Sequence, residues 1–215
     1  MSRLFFRQRR TRWVLLSLTA VAILLATYAC FPPLRLLLHA RQLRQIHQAT
    51  WVDAHRYDDE WFDAARAGRV DILRALYEAH YPINSQTSAG YTAVILASYD
   101  EQPQALDYLL RIGADPCRGD RNGNTALMGA LYKGNMAIAR RLLQTHCAID
   151  QVNNAGETAL SFASLFGRMT VLSELMAHGV NPNHADVRGD TPLGVALKQG
   201  NDSSAQALRS VGANR

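Results

Sequence analysis

Cysteines and recognisable catalytic motifs are both scarce in this chain of 215 residues. Its three cysteines, Cys30, Cys117 and Cys147, are too few for a disulfide scaffold. No nucleophile–base pair stands in a recognisable motif, and neither a phosphate-binding loop nor the Cys/His spacing of a zinc site occurs. We therefore expect no catalytic residue, cofactor, metal ion or small-molecule substrate.

The spacing of Cys117 and Cys147 does not favour a disulfide. The C-terminal part of the chain repeats every 33 residues, and the two cysteines occupy different places in that repeat. Their β-carbons need not face each other, and a bridge requires Cα atoms within about 7 Å. Buried or unpaired thiols are therefore the favoured interpretation, and a bridge is the alternative.

Acidic residues are absent from the first 50 positions, which contain eight arginines. The remaining 15 basic residues face 18 acidic ones, so the rest of the chain has a net charge of −3. A nucleic-acid-binding protein needs a basic face on its folded part. This charge distribution disfavours nucleic acid as a partner.

No charged residue occurs between Trp13 and Phe31. A helix of that length spans about 28 Å, close to the hydrocarbon thickness of a bilayer. The sequence predicts a basic cytosolic N-terminus at 1–12 and one transmembrane helix at 13–31. The excess of arginine before this segment predicts that the rest of the chain lies across the membrane, in the periplasm if the source is a bacterium. A cleaved signal peptide and a lipidated Cys30 are the alternatives.

A second apolar pattern follows Pro32-Pro33, with Leu36, Leu37, Ala40, Leu43 and Ile46 at spacings of three and four. It predicts a juxtamembrane helix or linker at 32–57. This helix would either lie on anionic lipid or pack as a stalk on the domain that follows.

The rest of the chain is organised by a motif with a period of 33 residues. Each copy has a glycine, a threonine two residues later and an alanine five residues after the threonine: Gly90, Thr92 and Ala97; Gly123, Thr125 and Ala130; Gly156, Thr158 and Ala163; Gly189, Thr191 and Ala196. Two short helical patterns follow in each copy, as in Ala126–Tyr132 and Met136–Gln144. Helices this short are stable only when neighbouring units stack.

These motifs resemble the ankyrin-repeat family over about 58–215. The resemblance is carried by Gly-x-Thr-Ala/Pro-Leu, by the glycines between the helices, by paired leucines and by the unit endings: Gly68, Gly134, Gly167 and Gly200; Leu109-Leu110 and Leu142-Leu143; Gly113-Ala114-Asp115-Pro116, Gly179-Val180-Asn181-Pro182-Asn183 and Gly212-Ala213-Asn214. It implies an all-α solenoid of about five helix pairs. The units would be an N-terminal cap at 58–84, then 85–117, 118–150 and 151–183, and a C-terminal cap at 184–215.

Some positions depart from the family pattern. The histidine that commonly follows the motif leucine is replaced by Ile95, Met128, Ser161 and Gly194, which predicts a less stable array than a consensus one. At the ends of the second helices, His80 and His146 stand where other units have glycine. We expect them to end helices in the left-handed conformation rather than to bind metal, because they lie two units apart.

The resemblance implies a protein partner, bound at the concave face and the loop tips. Tyr99, Tyr132 and Leu165 share one place in the repeat, and Phe166 follows the third. These side chains would form an apolar stripe, unless the rings fold against adjacent loops and cover the core. The full set of candidate partner-binding residues is Tyr91, Tyr99, Asp100, Asn122, Asn124, Tyr132, Lys133, Glu157, Leu165, Phe166, Arg188 and Asp190.

The predicted function is that of a non-enzymatic protein-binding module tethered to a membrane by residues 13–31. An inhibitor or immunity protein that neutralises a secreted toxin or an envelope enzyme is the alternative. An enzyme is the third and least favoured class.

Overall fold

The computed structural model describes residues 54–214, and the predicted segments 1–12 and 13–31, with most of 32–57, lie outside them. A 3₁₀ turn at Ala54–Tyr57 leads into five helix pairs, which we number units 1 to 5. The pairs are α1 (Asp58–Arg66) and α2 (Val70–Glu78); α3 (Ala93–Tyr99) and α4 (Pro103–Arg111); α5 (Ala126–Lys133) and α6 (Met136–Leu143); α7 (Ala159–Leu165) and α8 (Leu172–Ala177); and α9 (Pro192–Lys198) and α10 (Asp202–Ser210). A second 3₁₀ turn, Met169–Val171, precedes α8. The described residues are therefore all-helical, as the sequence predicts.

The helices form two rows that share one core. The first helices α1, α3, α5, α7 and α9 pack side by side, and the second helices lie against them. Each helix of unit 3 supplies core residues, with Leu131 and Ile138 almost fully buried. Trp61 and Phe62 fill the N-terminal end of the core. None of the helices within 54–214 is long and apolar enough to cross a membrane.

The motif threonines fix where the first helices begin. The side chains of Thr92, Thr125, Thr158 and Thr191 each accept a hydrogen bond from the backbone amide three residues later. Such N-caps satisfy amides that an α-helix leaves without a partner in its first turn. Helix α1 lacks this bond, because Tyr57 precedes it in place of a threonine. The repeated cap puts α3, α5, α7 and α9 in the same register.

The prediction for the two histidines is right for one and wrong for the other. His80 has a φ of 62° and follows α2 in the left-handed conformation. His146 does not have a positive φ. Helix α6 ends instead with Thr145, whose amide and hydroxyl both donate to the Leu142 carbonyl. The chain then turns early enough to bring Cys147 to a different partner.

Seams, by which we mean the boundaries between consecutive units, are tied at one repeated place. In three of them an Asn or Asp side chain accepts from the amide 31 residues later: Asn84 from Asp115 at 2.8 Å, Asp150 from Asn181 at 3.0 Å, and Asn183 from Asn214 at 2.9 Å. Cys117 occupies this place in the seam between units 2 and 3. It forms a disulfide with Cys147, 30 residues later, across a Cα–Cα distance of 5.2 Å.

The expectation of unpaired thiols is therefore wrong. A tie between units joins the end of one second helix to the end of the next, so its two residues must occupy different places in the repeat. The offset between Cys117 and Cys147 is close to the offset of the three hydrogen-bonded ties. What looked like a mismatch in the sequence is the offset that this seam requires.

Candidate functional site: the ends of the first helices

The last residues of the first helices converge on one face of the array. Tyr99 ends α3, Tyr132 and Lys133 end α5, and Leu165 ends α7 with Phe166 as its C-cap residue. Because the threonine caps set a common register, side chains at the same place in successive units lie side by side. We name Tyr99, Tyr132, Leu165 and Phe166 the aromatic stripe.

The rings of the stripe contact one another across two seams. The Tyr99 and Tyr132 rings stack with centroids 5.9 Å apart and an interplanar angle of 12°. The Phe166 ring meets Tyr132 edge-on, with centroids 4.9 Å apart and planes at 82°. Both geometries are favoured by the quadrupoles of aromatic rings. The rings thus form a continuous surface from unit 2 to unit 4.

The stripe is open to solvent. Tyr99 is 39 % exposed, Tyr132 45 % and Leu165 36 %, and Phe166 is half-buried with Phe162 behind it. The Lys133 ammonium lies 4.8 Å from the Tyr99 ring centroid, a cation–π contact. Exposed rings that touch neighbouring units offer apolar area that is held in place before a partner arrives.

Four turns between the units flank the stripe, at residues 87–91, 120–124, 153–157 and 186–190. The first residue of each accepts hydrogen bonds from amides later in the turn: Thr87 from Tyr91, Asp120 from Asn122 and Asn124, Asn153 from Ala155 and Glu157, and Asp186 from Arg188 and Asp190. The candidate residues predicted from the sequence do not include this position, although Thr87, Asp120, Asn153 and Asp186 recur every 33 residues. Short polar side chains at that period are the signal that could have revealed it.

Asp186 shows how firmly such a turn holds a carboxylate. Burial acts to raise the pKa of Asp186, but amide hydrogen bonds from Asp190 and Arg188 and the Arg188 guanidinium outweigh it, so the net pKa is lowered. The two amide bonds are each 2.8 Å long. The charged form of Asp186 is therefore part of the folded turn.

Successive turns also bond to each other through the backbone. The Arg121 amide donates to the Ala89 carbonyl at 3.1 Å, and the Asn154 amide to the Asn122 carbonyl at 2.8 Å. The Val187 amide continues the series. These bonds fix the spacing of the turns beside the stripe.

The polar candidate residues divide into free and engaged groups. Asn122 and Arg188 have exposed side chains at the tips of their turns. Asn124 and Glu157 are half-buried, and each accepts a 2.9 Å hydrogen bond from the Asn153 amide group. These two side chains therefore join adjacent turns, and a partner would meet them only at their edges.

The remaining candidates lie at the borders of the stripe. Asp190 pairs with Lys198 at 2.5 Å, so the two charges on unit 5 offset each other. Tyr91 is half-buried and packs against the core. Asp100 caps α3 beside Tyr99 and is half-buried. The structure gathers Tyr99, Tyr132, Lys133, Leu165 and Phe166 into one surface and places the turn residues around it.

Glu101, next to Asp100, is a further position that the sequence-based candidates leave out. It stands where units 1, 3, 4 and 5 have glycine, and it has a φ of 59°. L-residues other than glycine rarely adopt this left-handed conformation, and backbone strain of this kind is often found at functional sites. The gap in the glycine series at position 101 is visible in the sequence.

Small-molecule and metal sites are not prominent in the described part. A cavity of about 30 Å³ beside Met128, Leu142 and Cys147 has room for about one water molecule. Within 54–214, no group of three or more His, Cys, Asp or Glu side chains is placed to hold a metal ion. The Gly119–Gly123 segment is a turn closed by the Asp120 carboxylate.

Comparison with known proteins places these features in a family. A family model described as ankyrin repeats (3 copies) matches residues 61–153 and 130–214. The chain is 27% identical over 189 residues to the putative ankyrin repeat protein YahD of Escherichia coli K12, covering 70% of this chain and 94% of that protein. It is 33% identical to the putative ankyrin repeat protein FPV223 of fowlpox virus, over 62% of this chain and 94% of the viral protein.

A mouse relative, NF-kappa-B inhibitor alpha, is 32% identical over 47% of this chain and 34% of its own length. Matches to longer proteins are partial as well, since the mitochondrial disaggregase of Bos taurus is matched over 21% of its length. The region shared with these longer proteins is thus only a fraction of each.

Proposed function

Because the chain belongs to the ankyrin-repeat family, we propose that it binds a partner protein through the aromatic stripe and the adjoining turns. Ankyrin repeats are protein–protein interaction modules, and a relative named as an inhibitor of NF-kappa-B matches over its repeats. The observation that carries the proposal is the contiguous, half-exposed contact of Tyr99, Tyr132 and Phe166. Tyrosine and other aromatic residues contribute much of the binding energy at protein interfaces.

The stripe supplies what such an interface needs. Its rings are held by one another and by Phe162, so little side-chain freedom is lost on binding. Lys133 and Asp100 border the rings with opposite charges, which gives a polar rim. The Asn122 and Arg188 side chains extend the surface to the turn tips.

Replacing Tyr99 and Tyr132 together by alanine tests the proposal. We expect this double variant to lose capture of the partner that the wild-type protein retains from cell extract, with the partner identified by mass spectrometry. The fold should survive, because both rings are exposed by more than a third. The melting temperature should fall by only a few degrees, reflecting the lost ring stacking.

Tyr77→Ala is the matched control. Tyr77 is 41 % exposed, similar to Tyr99 and Tyr132, but lies on the second helix α2 away from the stripe. This variant should capture the same partner as the wild type. Equal capture by all variants would reject the stripe as the binding surface, and unfolding of the double variant would assign its rings to the core.

We also propose that residues 13–31 tether the module to a membrane with the repeats on the extracytoplasmic side. The uncharged 13–31 segment and the arginines before it motivate this proposal. The Cys117–Cys147 bond supports it, because disulfides persist mainly in oxidising compartments.

A topology reporter fused after Arg215 tests the location. A reporter that is active only outside the cytosol should be active on the full chain and inactive on a control fusion that starts at Ala54. Carbonate extraction then separates the alternatives, since a tethered protein stays with the membrane and a cleaved one is released. Activity of a cytosolic reporter on the full chain would overturn the proposed orientation.

A further inference from the structure

One seam of the array differs chemically from the others. Asn84, Asp150 and Asn183 tie their seams with a side-chain oxygen that accepts an amide hydrogen bond. Cys117 holds the corresponding place between units 2 and 3 and has no oxygen to offer. The bond to Cys147 takes over the tie at that seam.

The same seam carries the centre of the aromatic stripe. Tyr99 of unit 2 stacks on Tyr132 of unit 3, and Lys133 of unit 3 lies over the Tyr99 ring. The relative position of these groups depends on how units 2 and 3 are held together. A change in the tie therefore acts on the surface that the proposed function uses.

We propose that the Cys117–Cys147 bond is a redox lock that holds units 2 and 3 in the register that assembles the aromatic stripe. In the oxidised protein the lock is closed and the stripe is ordered. In the reduced protein this seam, unlike the other three between described units, lacks a tie at the repeated place, so units 2 and 3 separate more often. The proposal rests on the stripe being the binding surface and adds that binding there depends on the redox state.

The contacts that remain after reduction are weaker than the tie they would replace. Gln151 donates to the Cys117 carbonyl at 2.8 Å, and Arg121 donates to the Ala89 carbonyl at 3.1 Å. The Arg141–Asp107 ion pair crosses the same seam at 2.6 Å but is substantially exposed. Exposed ion pairs contribute little to stability. The seam is therefore the one that reduction would loosen.

The electron balance of the lock is simple. The two thiols lose two protons and two electrons as the Sγ–Sγ bond forms. A thiol–disulfide oxidoreductase with a disulfide of its own accepts them and leaves as a dithiol, through a mixed disulfide with one cysteine. A dithiol runs the exchange in reverse. Both cysteines are half-buried, so an exchanging thiol can reach them.

Amide hydrogen exchange on the full chain tests the lock without a partner. Reduced wild-type protein should lose at least tenfold of its protection at the ends of α3 and α5, where the stripe begins. The seam between units 4 and 5, tied by Asn183, is the internal control and should change far less. The melting temperature should fall by on the order of 10 °C. In glutathione buffers of graded potential, the loss of protection should follow the loss of the bond.

Two double variants separate the lock from a nonspecific effect of reductant. Cys117→Ala with Cys147→Ala should resemble the reduced wild type under all conditions. Cys117→Asn with Cys147→Ala restores the side chain found at Asn84 and Asn183, so it should regain part of the protection and ignore reductant.

A uniform loss of protection along the array, or none on reduction, would overturn the proposal. So would an asparagine variant no better protected than the alanine variant. These readouts use no partner, so failure of the stripe as a binding surface would leave them unchanged and would appear only in the capture experiment with Tyr99 and Tyr132.

Discussion

Glu101 holds a backbone conformation that its side chain disfavours. Its φ is 59°, whereas Gly68, Gly134, Gly167 and Gly200 occupy the same place in the other units with φ between 64° and 82°. The left-handed conformation costs a non-glycine residue roughly 1–2 kcal/mol, part of which glycine gives back through its freer unfolded chain. We expect Glu101→Gly to raise the free energy of unfolding by about 1 kcal/mol, as measured by urea denaturation.

Gly200→Ala is the control for this prediction. Gly200 has a φ of 64°, and a β-carbon there would meet no atom within 4 Å. Its loss of stability would measure the conformational cost alone. If Glu101→Gly instead destabilised the protein, the Glu101 side chain would have to make a contact worth more than the strain.

Residue-level prediction succeeded where backbone geometry alone chooses the residue. The motif threonines and the glycines with positive φ have the roles that their spacing indicates. It failed where a side chain replaces another by different chemistry. Cys117 substitutes a covalent bond for an amide hydrogen bond, and reading the series Asn84, Cys117, Asp150 and Asn183 as one position would have been necessary to see it.

At the scale of an element, the turn at 186–190 depends on a charged side chain. The lowered pKa of Asp186 means that its ionised form stabilises the folded state. This contribution is complete above 3.8, the ordinary pKa of an aspartate, and is lost as the pH falls from there through the lower pKa of the folded state. We expect Asp186→Asn to melt with a smaller change between about pH 5 and about pH 2.5 than the wild type, because asparagine keeps the acceptor oxygen and does not titrate.

Asn153 shows that the substitution fits such a turn, since its side-chain oxygen accepts from Ala155 and Glu157 at 3.0 and 2.9 Å. Near neutral pH the variant should therefore lose little stability, mainly its exposed contact with Arg188. Circular dichroism melts at the two acidic pH values give the comparison. An unchanged acid sensitivity would show that Asp186 does not report on folding.

The helices were more predictable than the contacts between them. The pattern in unit 3 placed helices at Ala126–Tyr132 and Met136–Gln144, and the structure has them at Ala126–Lys133 and Met136–Leu143. Periodicity also placed Tyr99, Tyr132 and Leu165 on one side. It could not show that the two tyrosines stack on each other or that Asn153 engages Asn124, because those contacts depend on the distance between units.

At the scale of the whole described array, the core is unevenly distributed along the units. Unit 3 buries large side chains, among them Met128, Leu131 and Ile138. The buried residues of unit 5 are mostly smaller, such as Ala196 and Ala205, while Leu197 is 46 % exposed and Val187 73 %. Stability of a repeat array is close to a sum of unit and seam contributions, so units with less buried apolar area open first.

Unit 5 should therefore open separately from the centre of the array. In native-state hydrogen exchange at rising urea concentration, amides of α9 and α10 should exchange through an opening of lower free energy than those of α3 to α6, which the disulfide joins. Leu208→Ala, which removes a fully buried side chain from α10, should lower that opening free energy by about 2–4 kcal/mol while leaving α3 to α6 nearly unchanged. Leu131→Ala in unit 3 is the matched substitution, and it should lower the opening free energy of the central helices as well. A single exchange isotherm for all helices would mean that the seams couple the units too strongly for any of them to open alone.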